Sequence, residues 1–237
     1  MMFFVVSVSK AQHGCIDCLA LMICAKLQVP ASFKESSKNF GASRKTSYYG
    51  NAVSGNCVLL YVITLLINDE NAPVSASMLG SENSALEAPT ILSFRVCMAN
   101  VLISACQKIS DSGKKTFAKK TVPRLIQAVE GIMHPDIRAA CIQVLFSAVY
   151  HLKSAVLPYS SDLLNLSLKF LSRGSEKERM ASAKLIASLM ASEDVIVKSI
   201  SGGLLEARSV LSSVSFSDSS HELQQICQKL LACITSP

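Results

Sequence analysis

Tryptophan is absent from this chain, and all aromatic residues together make up only 6% of it. Charged residues are scarce too, at 17%, while half of the residues are hydrophobic. A β-sandwich core would draw on aromatic and β-branched residues alternating along short strands between frequent turns, and that pattern is missing. No apolar run reaches the ~20 residues that a membrane-spanning helix needs. The longest, 57–67, is broken only by Thr64. The apolar N-terminus, from Met1 to Val8, lacks a basic leader and is short for a signal peptide. No Gly-x-Ser-x-Gly elbow, no Gly-x-x-x-x-Gly-Lys loop and no His-Glu-x-x-His occurs, so the main sequence signs of catalysis are lacking. The expectation is a protein that is not an enzyme and takes no cofactor.

Cysteine is the exception to this scarcity. There are nine, an odd number, in a chain of 237 residues. Cys97, Cys106, Cys141 and Cys227 lie in apolar periodic segments and read as small core residues. A disulfide scaffold would be short and loop-rich, so a reducing compartment, cytoplasmic or nuclear, is expected. His13, Cys15, Cys18 and Cys24 have partial metal-ligand spacing, but no second Cys-x-x-Cys pair follows, and no metal is expected. The net charge of +6 is mild. It permits contact with acidic proteins, phosphates or anionic lipid, and it argues against nucleic acid as the main partner.

One pattern recurs. Arg95 opens Arg-Val-Cys-Met-Ala-Asn-Val-Leu-Ile-Ser-Ala. Arg138 opens Arg-Ala-Ala-Cys-Ile-Gln-Val-Leu-Phe-Ser-Ala, 43 residues later, and Arg179 opens a third such run after 41 more. The last two runs are each preceded by a polar turn and, before it, a further apolar helix. A period of about 40 residues built of helix pairs is the mark of a helical solenoid.

Local signals divide the rest. Residues 1–28 hold one buried helix, 11–27, with Cys15, Ile16, Leu19, Met22, Ile23 and Leu27 near the helical period. That helix has no preceding partner, which predicts a partial first repeat. Residues 29–55 read as a flexible, basic, serine-rich loop, carrying Lys34, Lys38, Arg44, Lys45 and the aromatic pair Tyr48 and Tyr49. A repeat domain over 56–237 begins with a helix at 56–68 and includes a polar loop at 69–89. Helices are then predicted at 90–110 with Thr90 as cap, at 116–131 after a basic turn, at 135–152, 158–171, 176–191, 194–213 and 219–235. Pro135 suits a first turn, and Gly202-Gly203 predicts a kink. Ser175, with Glu178 three residues on, forms a capping box.

Asp136 and Arg138, followed by Ala139, Ala140, Val144 and Leu145, resemble the second-helix start of the armadillo/HEAT repeat superfamily. Arg179 with Ala181, Ala183, Leu185 and Ile186 is a second match, and Arg95 with Ala99, Val101 and Leu102 a third. Gly14-Cys15-Ile16 is similar to an armadillo second-helix start. The resemblance covers 90–191 well and loosens beyond. It implies an all-α, right-handed α-solenoid, incomplete at its N-terminus, that serves as a non-catalytic scaffold or adaptor for protein partners. The recurrent arginine is expected to link neighbouring units, since its fork reaches a carboxylate or helix-end carbonyls.

The candidate partner-binding residues are Lys108, Lys114, Lys115, Lys119, Lys120 and Arg124, opposed in sequence only by Asp111. Pairs four apart form stripes on a helix. They would suit an acidic protein surface. Two alternatives stay open: a HEAT-type module that holds acidic tubulin through basic turns, and binding of phosphates, nucleic acid or an anionic membrane through this cluster. A solvated helix face is the plain alternative to all three.

Overall fold

The computed structural model describes residues 10–28, 57–68 and 84–235. The expected loop at 29–55, with its lysines and tyrosines, lies outside the described residues, as do residues 1–9 and the polar segment 69–83. Ten α-helices are present among those described: α1 (Lys10–Gln28), α2 (Cys57–Ile67), α3 (Ser84–Lys108), α4 (Asp111–Val129), α5 (Pro135–Leu152), α6 (Ser160–Arg173), α7 (Glu176–Met190), α8 (Asp194–Ile200), α9 (Leu204–Ser217) and α10 (His221–Thr235). Two 3₁₀ segments, Lys153–Tyr159 and Ser201–Gly203, join helices. The described chain is all-helical and contains no strand.

The helices pack as hairpins: α4 on α5, α6 on α7, α9 on α10, with α2 on α3. The second helices form one row, α1, α3, α5, α7 and α10, each against the next. The first helices α2, α4, α6 and α9 form another. The core lies between the rows. At the sixth and seventh positions after each recurrent arginine stand Val101 and Leu102, Val144 and Leu145, and Leu185 and Ile186, and all six are fully buried. At the ninth stand Ser104, Ser147 and Ser188, also buried, where a small side chain lets helices approach. The stretch Pro135–Arg173 is long and apolar enough to cross a bilayer by composition alone, but more than half of its apolar window is buried in the fold.

Several boundaries differ from expectation. The helix expected from Thr90 begins at Ser84, so Thr90 lies inside it and the polar segment before it is shorter than 69–89. The basic "turn" at 111–115 is the first turn of α4. Asp, Ser and Gly read locally as turn residues, but Ser110 is extended, Asp111 places an acid at the positive helix end, and Gly113 is buried against Ile109. The helix expected at 158–171 starts at Ser160, because α5 ends in a left-handed residue, Lys153, and the chain then turns as 3₁₀ through Pro158. The glycines at 202 and 203 break the expected helix in two rather than kinking it. In α1, Ala20, Ile23 and Cys24 are buried, but Cys15, Cys18 and Met22 are exposed. That helix packs on α2, α3 and α4 and so covers only one of its faces. Cys106, Cys141 and Cys227 are buried as expected, while Cys97 is half-buried. Burial pushes the thiols of Cys106 and Cys141 up to about 12.

Candidate functional site

The recurrent arginines set the register of the surface. Arg138 Nε donates to Glu178 Oε1 at the start of α7, and its Nη1 donates to the carbonyls of Ile132 and Met133 at 2.7 and 3.0 Å. Arg179 repeats this one unit on: it pairs with Asp218 at 2.7 Å and donates to the Gly174 carbonyl at 2.9 Å. Arg95 donates to the carbonyl of Leu66 at the end of α2, at 3.0 Å. Each arginine thus ties off a turn or helix end, and the last two also hold the following hairpin. Lys177 and Asp136, 2.7 Å apart, add an outer rung. Glu178 is buried. Burial alone would raise its carboxyl, but hydrogen bonds from Arg138 and Ser175, with the charge of Arg138, hold it below the usual carboxylate range.

This register exposes a groove of about 370 Å³ across α3, α5 and α7. Its lining repeats by position. One residue after each arginine stand Val96, Ala139 and Met180; two after, Cys97, Ala140 and Ala181; five after, Asn100, Gln143 and Lys184. Ile103 and Phe146, both eight after, complete the wall. The Phe146 ring lies 6.4 Å from that of Tyr150, which is exposed. The floor is small and apolar, and a polar side chain stands on each helix. None of these residues is expected from sequence to bind a partner; Cys97, Ala139, Ala140 and Ala181 are expected only as core or repeat positions. The signal was available: position five after each arginine carries an amide or an ammonium in a run that otherwise holds only apolar residues and serine.

The six basic residues expected from sequence meet different partners. Lys108 turns to α1, where its ammonium meets Asp17 at 2.5 Å and Ser104 at 2.6 Å. The hydrogen bond from Lys108, then that from Ser104, lowers the Asp17 carboxyl. Arg124 is exposed and donates to the Lys120 carbonyl one turn earlier, at 2.7 Å; Lys120 is half-buried. Lys114, Lys115 and Lys119 line a second groove, of about 710 Å³, between α4 and the 3₁₀ segment. Lys114 pairs there with Asp111 at 2.7 Å, which lowers the Asp111 carboxyl. Lys153 joins them from the other wall. It is 29 residues beyond Arg124, and nothing in the sequence brings it to the cluster. His151 is held below its usual value by burial first and by the charge of Lys114 second.

Cys15 and Cys18 sit exposed on α1, and among the described residues no group of three or more His, Cys, Asp and Glu side chains is arranged to hold a metal ion. Comparison with known protein families, with curated proteins and with solved structures returns no match.

Proposed function

We propose that the protein is a non-catalytic scaffold whose hairpins form a right-handed α-solenoid of the armadillo/HEAT type, and that it binds an extended segment of a partner protein across α3, α5 and α7. The observation that carries this reading is the register-repeated groove. Three successive helices offer the same three positions, small or apolar twice and polar once. Neighbouring helix axes stand about 8–10 Å apart. An extended chain rises about 3.3 Å per residue, so about three residues span one helix step. Asn100 and Gln143 each carry a donor and an acceptor, which suits the N–H and C=O groups of such a chain. Ile103, Phe146 and the neighbouring Tyr150 supply apolar contact for its side chains.

The three described hairpin turns, 130–134, 174–175 and 218–220, contain no lysine or arginine. A tubulin-type surface built on basic turns therefore has less support than the groove. The proposal carries a cytoplasmic or nuclear location, supported by eight free cysteines among the described residues.

The test is selection of random linear peptides on the full chain, followed by affinity measurement on Asn100→Ala/Gln143→Ala and on Phe146→Ala. Selected peptides are expected to bind both variants about tenfold or more weakly, the scale of one or two lost buried hydrogen bonds or an aromatic contact. Peptides that bind wild type and variants alike would refute the groove.

A further inference from the structure

The second groove lies on the other row of helices and is not used by the peptide reading. Four lysines line it: Lys114, Lys115 and Lys119 from α4, and Lys153 from the 3₁₀ segment. Against them stand Asp111, already paired with Lys114, and Glu193. Lys115, Lys119 and Lys153 make no close ion pair among the described residues, although the charge of Lys153 also acts on the Asp111 carboxyl. Lys153 is held there by an unusual backbone. Its φ of 52° is the only positive value at a non-glycine residue among those described. An L side chain is disfavoured in that region, and it persists here between two buried anchors, Leu152 and Val156.

Unpaired ammonium groups on two walls of one concavity call for an occupant with several negative charges in a small volume. A single carboxylate brings one charge, whereas a phosphomonoester brings about 1.5–2. Lysine serves phosphate as a point charge, with no need for the planar match that arginine gives. Among the described residues, Tyr159 is the only aromatic one in the lining. A platform for stacked bases is therefore missing, which disfavours single-stranded nucleic acid. We propose that the groove between α4 and the 3₁₀ segment binds a compact, multiply phosphorylated small anion, held by Lys114, Lys115, Lys119 and Lys153. The chemistry is that of clustered phosphomonoesters, whether on a soluble molecule or on a lipid headgroup.

The test is calorimetric titration of the full chain with inositol hexakisphosphate, beside flotation with vesicles of phosphatidylcholine carrying phosphatidylinositol bisphosphate. The soluble probe is expected to bind one to one. Lys115→Glu/Lys119→Glu is expected to weaken it at least tenfold, and Lys153→Gly severalfold. Glycine accepts a φ of 52°, so Lys153→Gly should melt no lower than wild type, and its loss of binding then reports the missing charge. Arg208→Glu/Lys229→Glu makes the same charge change at two exposed sites on α9 and α10 and should bind within about twofold of wild type. Vesicle binding that is lost in the groove variants assigns the ligand to a lipid headgroup; binding of the soluble probe alone assigns a free polyphosphate. Absence of binding to either probe, or an equal loss in the α9 and α10 variant, overturns the proposal.

Discussion

Arg138 satisfies three groups at once: the carbonyls of Ile132 and Met133 in its own turn, and the buried carboxylate of Glu178 in the next unit. Planarity makes this feasible, because one guanidinium presents several donors in a fixed fork. A lysine would reach one of these partners and leave the others. Replacing Arg138 by alanine leaves Glu178 as a charge with 1% side-chain exposure and only its contacts to Ser175. The expected cost is about 2–4 kcal/mol, between the loss of a charged hydrogen bond and the breaking of a buried ion pair. Urea unfolding measures it. In Arg138→Ala/Glu178→Gln the stranded charge is gone, so the double variant should lose less than the sum of the single ones. An additive result would mean that the two side chains act independently.

At the scale of elements, the α6–α7 turn shows how tightly a helical hairpin is closed. Gly174 ends α6 with φ −76°, a value open to any residue, so conformational freedom is not its purpose. Its purpose is space. A Cβ there would stand 2.5 Å from the Phe170 carbonyl oxygen and 2.8 Å from Glu178 Cβ. The capping box then fastens the next helix: the Ser175 hydroxyl accepts from the Glu178 N–H, and Glu178 accepts from the Ser175 N–H at 2.6 Å. Gly203 is also crowded, but by Leu164 Cδ2, the far end of a flexible side chain. Gly174→Ala should therefore cost about 1–3 kcal/mol, the range for overpacking against groups that cannot move. Gly203→Ala should cost clearly less. Thermal unfolding of the two variants ranks them, and the reverse order would refute the steric argument.

At the scale of the whole molecule, neighbouring hairpins are joined by a few buried charges, and this makes stability depend on pH. The Glu178 carboxyl lies below its ordinary value of 4.5 in the folded state. A lowered acid favours folding when ionised. Its contribution is complete above the unfolded value and is lost as pH falls through the folded one. The urea midpoint should thus be level near neutrality and fall once pH drops below about 4.5. Glu178→Gln should be less stable at neutral pH and show a shallower acid fall. An unchanged acid slope in that variant would show that the linkage lies elsewhere.

The helices of the later chain were readable because their signals are local: Pro135 at a first turn, the Ser175–Glu178 box, and apolar residues at helical spacing. The arginine register was readable because repetition is a property of the string. Where short-range chemistry competed with packing, the reading failed. Asp111, Ser112 and Gly113 have the composition of a turn, yet they begin a helix because Gly113 fits under Ile109. The basic residues diverge for a different reason. Proximity in sequence grouped Lys108 with Lys114, but one turns to Asp17 on α1 and the other to a groove shared with Lys153.

What the sequence by itself determined is the all-helical class, the order of the later helices and the repeated arginine, since each rests on spacing within one segment or between copies of it. Which residues share a surface was decided only by the tertiary structure. The groove of Asn100, Gln143 and Lys184, and the convergence of Lys153 on α4, join residues about 30 to 80 positions apart. Such distances are set by how the helices stack, because the packing of one hairpin on the next turns equal positions in successive units into neighbours.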